Sequence, residues 1–436
     1  MSSIKEPPAP RPTGTYRLLH TADWHLGKTL NDRSREEEHR LFLEWLLTTV
    51  VERQVDAIVL TGDLFDTANP SSASLQLYYD FVSRLHRSGT CDLVVIAGNH
   101  DSAAQLEAPR EVLHALNVHV AGFLREDPRD RIVLLPRDSG EDSRPPPRVA
   151  LALIPFLRDR DLRIGQAGEG TGEIRRRILE GIGRRYRETA DILPEMLPPG
   201  PLPVIATGHL TVTGSAASDS EREIHIGGLG AVPPDLFPPE FSYVALGHLH
   251  RPQKAGTDRI RYSGSPIPLS FSEVGDRKEV RLLDIRGESL RQTGIPVPLF
   301  RSLLRLRTTP ARLEDDLLEL LERQEETPEG EPSLPPWIEV TVAGTSDDLN
   351  ERAHRTLQGR RGEILRVIRE HSGSGSAFSL EGISDAEAID TLVENPHRLF
   401  EHLLERDATL GKEEQAALKT LFTHLVEMDA SREHRP

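Results

Sequence analysis

Leu93-Val-Val-Ile-Ala97-Gly-Asn99-His100-Asp101 is the stretch on which the fold turns. Leu93–Ala97 is apolar throughout and rich in β-branched residues, too short for a helix, and reads as a strand buried on both faces. The chain then changes abruptly to a glycine and three polar residues. A buried strand cannot continue through them, so they form a loop at its carboxyl end. Working outward, the same pattern recurs upstream. Tyr16–His20 precedes Thr21-Ala-Asp23-Trp-His25, and Asp56–Leu60 precedes Thr61-Gly-Asp63. Helical spacing fills the gaps. Ser34-Arg-Glu-Glu37 has the form of a capping box, followed by Leu41, Phe42, Trp45, Leu46 and Val50. A second helix is expected from about Ser74 to Arg87, with Gly89 just beyond its end. Three strand–loop–helix units with polar residues at each carboxyl end describe the working edge of a layered α/β sheet.

Downstream, strands are expected at Arg131–Leu135, Val149–Ile154, Val204–Thr207, Tyr243–Leu246, Ile260–Ser263 and Val280–Ile285. Glu173–Arg187 has the pattern of a surface helix. Regular helical crossovers are lacking here, which predicts a second, more antiparallel sheet. Asp138–Pro147 is a loop rich in proline and charge. After about Pro298 a small α+β unit follows. Its expected elements are Leu303–Arg307, Leu313–Gln324, Trp337–Val342, Leu349–Gln358 and Ile364–Arg369. His371–Ser379 is rich in Gly and Ser and reads as a flexible linker. Two amphipathic helices close the chain, the second with Leu418, Leu421, Phe422, Leu425 and Val426 on one face; the pattern serves equally for packing on the body of the same subunit and for docking on a partner. The expected domains are a disordered leader 1–15, a catalytic domain 16–297, a capping domain 298–370, a linker 371–384 and C-terminal helices 385–436.

Composition narrows the classes. The 436 residues suffice for two or three domains, and 37% hydrophobic with 28% charged residues is ordinary for a water-exposed globular chain. No apolar run is long enough to span a bilayer, and the proline-rich start lacks the apolar core of a signal peptide. The single cysteine, Cys91, excludes an internal disulfide and a thiolate zinc site. A reducing cytoplasm suits such a chain. A net charge of −16 argues against coating nucleic acid by bulk electrostatics. It leaves room for local contacts from Arg251 and Arg277, which lie near the polar segments, although for any one of these arginines solvated surface charge is the commoner reading.

Five segments carry the chemistry: the three above, Thr207-Gly-His209, and Leu246-Gly-His248-Leu-His250. Each alone is weak, since Gly-Asp and Asn are ordinary turn residues and a single histidine is commonly structural. Their ordered conjunction after β-rich runs is strong. Asp23/His25 and His248/His250 are spaced by two, so extended backbone would aim both members of a pair one way. Asp63 has two oxygens and can bridge. One partition puts Asp23, His25, Asp63 and His250 on one cation, and Asp63, Asn99, His209 and His248 on its neighbour. Such N/O sets suit manganese or another first-row divalent ion, and a pair of ions suits phosphoester hydrolysis. His100 is assigned as general acid, Asp101 as the group orienting its imidazole, and Asp66 as a brace for the loop carrying Asp63.

The ordered set Asp-x-His, Gly62 to Asp66 (Gly-Asp-x-x-Asp), Gly-Asn-His-Asp, Gly-His and Gly-His-x-His resembles the signature of the calcineurin-like metallophosphoesterases. Within them, His20-Thr-Ala-Asp-Trp-His-Leu-Gly27, Ala206-Thr-Gly-His-Leu210, Tyr243-Val-Ala-Leu-Gly-His-Leu-His-Arg-Pro-Gln253 and Tyr262-Ser-Gly-Ser-Pro-Ile-Pro-Leu-Ser-Phe271 are similar to the SbcD family of nuclease subunits. The resemblance implies an α/β fold: a layered metallophosphoesterase β-sandwich flanked by helices, a small α+β capping domain, and C-terminal helices. It implies a two-metal DNA nuclease using two Mn²⁺ ions, with 3′→5′ exonuclease action on duplex DNA and endonuclease action on hairpins or single strands. It also implies work in DNA replication, recombination and repair with the ATP-binding coiled-coil partner SbcC, docked through the C-terminal helices. A homodimer within a heterotetramer, in the cytoplasm and at the nucleoid, belongs to the same implication. Two other readings of the residues are a phosphoesterase for small phosphoesters and a non-catalytic DNA-end scaffold. The long capping and tail region disfavours the first, and a complete ligand set with His100 disfavours the second.

Overall fold

The computed structural model describes residues 11–89, 91–136, 146–162, 171–217, 221, 230–325, 334–344, 346 and 348–370, with 400, 404, 418, 419, 421 and 422 beyond. Residues 1–10 of the expected leader, nearly all of the Asp138–Pro147 loop, the linker and most of the C-terminal helices lie outside the described residues. The chain divides into two compact units, Met1–His371 and Ser372–Pro436. Arg11, inside the expected leader, is tied down: its guanidinium donates to the Thr15 carbonyl and to Asp56 Oδ1 at 2.9 Å.

Alternation within the apolar runs explains the layers. Val59, Val94 and Ile96 face one way, packing with Ile205, Tyr243, Ala245 and Leu151. Their neighbours Ile58, Leu60, Leu93 and Val95 face the other way, against Phe42, Leu46, Tyr78 and Phe81 of two helices. Both faces of each strand are thus covered, as the unbroken hydrophobic runs require. The first sheet has six strands in the order Ser289–Pro296, Glu279–Arg286, Tyr16–Thr21, Ala57–Thr61, Asp92–Ile96, Val118–Ala121. Its last four strands are parallel, joined by the helices Glu36–Glu52 and Ser72–Ser88 among others.

The second sheet runs Gln253–Ala255, Thr257–Tyr262, Tyr243–Gly247, Val204–His209, Val149–Ala152, Ile132–Leu135. Its four inner strands are parallel and only the two edge pairs are antiparallel. The expectation of a more antiparallel sheet is therefore corrected. The helix Thr171–Asp191 makes the crossover between Val149–Ala152 and Val204–His209, and it is no mere surface helix. It buries Ile178, Ile182, Tyr186 and Ala190 against the outer face of the second sheet. Helices thus cover both outer faces, and the two sheets pack on each other between them.

Local signals also shift. The capping box at Ser34 does not form: the first helix begins at Glu36 without a side-chain cap, and Ser34 Oγ accepts from the Glu36 N–H at 3.2 Å. The second helix starts at Ser72, with Ser71 Oγ accepting from the Ser74 N–H.

Arg301–Thr308, Leu334–Ala343 and Glu363–Glu370 form a parallel three-stranded sheet, with Leu334–Ala343 central. Leu313–Glu325 and Leu349–Leu357 cover it through Leu317, Leu321, Ala353 and Leu357. This sheet belongs to the same compact unit as the sandwich. Trp337 and Leu303 pack on Phe271, and Arg301 stacks 4.1 Å from the Trp337 ring centre while its Nε lies 3.2 Å from Glu38 Oε2.

Candidate metal centre

The strands end where the polar residues begin, and the loops beyond are laced together. Asp23 N–H donates to the Gly62 carbonyl at 3.0 Å, His25 N–H to Asp63 at 2.9 Å and Leu26 N–H to Leu64 at 2.9 Å. The Asp23–His25 loop therefore lies alongside the Asp63–Asp66 loop. Asp63 Oδ1 accepts the His100 N–H at 2.9 Å, which draws in the third loop. From the second sheet, His248 N–H donates to Asp23 Oδ1 at 2.8 Å, and His209 Nδ1 donates to the Thr61 carbonyl at 2.9 Å. Residues separated by 225 and 148 positions thus meet at one end of the sandwich.

The backbone there is not extended. Asp23, His25 and Asp63 have φ of 53°, 47° and 51°, and His248 has φ of 100°. Such left-handed conformations are unfavourable for these residues and persist only where surrounding bonds over-determine them. The alternation expected to aim Asp23 with His25, and His248 with His250, is therefore replaced by tight turns. Close approach of the two sheets also demands glycine. A Cβ on Gly247 would collide with the Thr61 carbonyl and His209, and one on Gly98 with Asp63.

Three sets of buried groups have ligand atoms all within 4.8 Å of one another: Asp23/His25/His250, His25/Asp63/His100 and Asp23/Asp63/His209. Asp63 Oδ2 is 3.5 Å from His25 Nε2 and 3.3 Å from His209 Nε2, which also lies 2.8 Å from Asn99 Oδ1. His248 stands outside these triads, its ring centre 5.4 Å from that of His209. Two buried ligand atoms, Asp23 Oδ2 and His25 Nε2, have no hydrogen-bond partner. Unpartnered buried polar atoms of this kind carry a large desolvation penalty. Together with an all N/O donor set, they fit divalent first-row cations.

Acceptors orient the imidazoles. His25 Nδ1 is 3.2 Å from Asp66 Oδ1, which also takes Lys28 Nζ at 3.1 Å. His250 Nδ1 is 3.3 Å from Glu273 Oε1. An acceptor on Nδ1 turns Nε2 toward an ion. His100 Nδ1 pairs with the Asp66 carbonyl at 2.7 Å. Asp101, expected to orient that ring, accepts instead from the N–H groups of Gly98, Leu64 and Phe65, so it ties two loops together. Asp66 likewise holds His25 and His100 more than the loop itself. Arg251 is half exposed and ion-paired to Asp276 at 3.0 Å, and Arg277 is exposed beside it.

Burial pushes the Asp23 carboxyl up to about 7, with Asp63 adding to the rise. Burial works in the same direction on Asp63, but the charges of His209, His25 and His100 hold it well below the carboxylate range. Burial would lower His209, yet Asp63 and Asp23 lift it to about 9. A divalent cation and a proton therefore compete for the same nitrogen. Glu273, Lys28 and Lys278 were missed in the sequence, because no spacing rule ties them to the histidines they support. The one available signal was an acid following the Pro266–Phe271 run.

The calcineurin-like phosphoesterase family model matches residues 16–252. The SbcD subunit of the SbcCD nuclease of Escherichia coli K12 is 38% identical over 93% of this chain and 97% of its own length. Its counterparts of the same name from Rhodobacter capsulatus and Bacillus subtilis are 42% and 37% identical, over 70% and 62% of this chain and 75% and 66% of their own. Two sheets packed face to face, a buried N/O ligand cluster at the ends of their strands and this similarity over nearly the whole length agree: the chain belongs to the calcineurin-like phosphoesterases, among the SbcD nuclease subunits.

Proposed function

We propose that the chain is a two-metal DNA phosphodiesterase, cleaving duplex ends in the 3′→5′ direction and opening hairpins or single strands endonucleolytically, under ATP control by SbcC. The observation that carries this is Asp63, whose carboxylate stands between His25 and His209 at the meeting of the ligand triads. Asp23, His25, Asp63 and His250 would hold one cation, and Asp63, Asn99, His209 and His248 the other. Mn²⁺ suits this mixture of imidazole and oxygen ligands. The cations, when bound, supply a hydroxide near neutral pH and neutralise phosphate charge.

The protein's own groups do the rest. Asp23 and Asp63 oppose the positive charge. Asp66 and Glu273 orient His25 and His250. His100 sits within the reach of His25 and Asp63, with its Nδ1 engaged by the Asp66 carbonyl, so proton transfer to the departing oxygen would run through Nε2. Arg251 and Arg277 are exposed positions that follow His250 in the chain and would contact the DNA backbone. The capping domain 298–370 would steer DNA, and the C-terminal helices 385–436, after the 371–384 linker, would dock SbcC. Homodimers within a heterotetramer, acting at the nucleoid in the cytoplasm, complete the reading. Among the described residues no helix is long and apolar enough to cross a membrane.

The test is cleavage of blunt duplex and hairpin DNA with Mn²⁺ or Mg²⁺, with and without SbcC and ATP, against an aryl phosphodiester. Preference for DNA and stimulation by SbcC with ATP are expected. Turnover of the aryl ester alone would overturn the DNA assignment. Removing the residues after Ser372 should spare Mn²⁺-dependent cleavage and abolish the ATP response. Unaltered SbcC binding by that truncation would move the docking region elsewhere.

A further inference from the structure

Two residues outside every ligand motif grip His250 at both ends. Its imidazole Nδ1 lies 3.3 Å from Glu273 Oε1. Its backbone carbonyl accepts from Lys278 Nζ at 2.9 Å. Lys278 also donates to Ser265 Oγ at 3.0 Å and to Glu273 Oε2, while Glu273 Oε2 takes the Leu269 N–H at 3.1 Å. Glu273 and Lys278 are 1% and 5% exposed, so this ion pair is inside the protein. A buried Lys–Glu pair is a poor source of stability, because desolvation offsets the attraction, and an apolar pair of similar volume often serves as well. Stability alone therefore does not account for it, whereas geometry does. Nδ1 facing a carboxylate leaves Nε2 as the ligand atom of His250, which shares a triad with Asp23 and His25.

The arrangement is repeated across the site. His25 faces the Asp66 carboxylate, which is paired with Lys28. His209 differs: its Nδ1 is bonded to the neutral Thr61 carbonyl at 2.9 Å, and the carboxylate nearest that nitrogen, Asp23 Oδ1, stands off at 4.0 Å. Carboxylate–lysine braces thus fall on His25 and His250, the two histidines of one triad, and not on His209.

We propose that Glu273 and Lys278 are positioning residues that hold His250 as a ligand to one cation, making that ion's affinity separable from its neighbour's. The proposal rests on the two-cation reading above. Mn²⁺ binding to the full-length chain is measured by calorimetry, and coupling between bound ions by electron paramagnetic resonance. Wild type should take two ions and show a coupled pair. Glu273→Ala should weaken one ion by about 10- to 100-fold, leave the other unchanged, and replace the coupled spectrum by that of an isolated ion. Glu273→Gln keeps an acceptor at Nδ1 and should recover most of the loss. Because Glu273→Ala strands a buried lysine, the double variant Glu273→Leu/Lys278→Met serves as the folded control. With a wild-type melting profile it should show the same selective loss. Two ions of wild-type affinity in that double variant would overturn the brace alone. Equal loss of both ions in Glu273→Ala but neither in the double variant would also overturn it, exposing a folding defect. A wild-type chain binding a single ion would overturn the two-cation reading and this assignment with it.

Discussion

The sandwich and the capping sheet are built from the same material, buried aliphatic strands under amphipathic helices, yet they treat polar residues in opposite ways. In the capping sheet, ion pairs such as Arg307–Glu370 and Arg355–Glu351 lie largely in solvent, where each contributes little. At the loop end of the sandwich, Asp23, His25, Asp63 and His209 are at most 1% exposed. Three of these four also sit on left-handed backbone. The contrast teaches that one half of this compact unit follows local preference, while the other holds unfavourable local states because contacts between the sheets enforce them.

The sharpest way to break that contrast is Asp63→Ala. It should remove both cations together and reduce cleavage further than any other single change, as read by metal analysis and DNA hydrolysis. Loss of one ion only would mean that Asp63 does not bridge. Next in size, His100→Asn should lower the cleavage rate by about 10²- to 10⁴-fold with metal content nearly unchanged. Loss of metal would instead make His100 a ligand.

Two glycines sharpen the comparison through stability. Gly359 in the capping unit has φ of 76° with nothing near its would-be Cβ, so Gly359→Ala should destabilise by only about 1 kcal/mol. Gly247→Ala would drive a methyl into the Thr61 carbonyl and His209 and should destabilise by about 1–3 kcal/mol, with weakened metal binding. Equal shifts in chemical denaturation midpoints would remove the distinction between the regions.

The smallest expected effect is a pH slope. Burial holds His20 and His39 of the sandwich at about 3, with the charges of Arg281 and Arg35 adding respectively. Both are depressed from about 6.5, so below that pH the unfolded chain binds protons that the fold refuses. Their contribution is complete above pH 6.5 and declines as pH falls toward 3. His39→Leu should flatten the drop in melting temperature between pH 7 and 5, and an unchanged slope would show that His39 takes no part.

Legibility followed the range of the forces involved. Four strands of the first sheet could be read within a residue or so because unbroken Val, Ile and Leu runs admit few other readings, and Leu93–Ala97 became Asp92–Ile96; the edge strands Val118–Ala121 and Ser289–Pro296, short or polar, were not expected. Thr171–Asp191 was recognisable as a helix, but its role as a buried crossover was not, since nothing local says what Ile178, Ile182 and Tyr186 touch. Ser34 looked like a cap and proved to lie in a two-residue strand, as the neighbouring hairpin overrode the local preference. The seven ligand candidates stood out through their order, whereas Glu273, 23 residues beyond His250, could not, because a side chain that supports another obeys no spacing rule.

By itself, the amino-acid order determined most of the buried strands, which residues are of a ligating type and to which family the chain belongs, all properties carried by short segments. Tertiary structure alone decided that the second sheet is mainly parallel, that Asp23, His25, Asp63 and His248 adopt left-handed backbone, and that Asp101 ties loops instead of turning His100. These outcomes depend on bonds between residues as far apart as His248 and Asp23, and such bonds exist only after the two sheets have packed together.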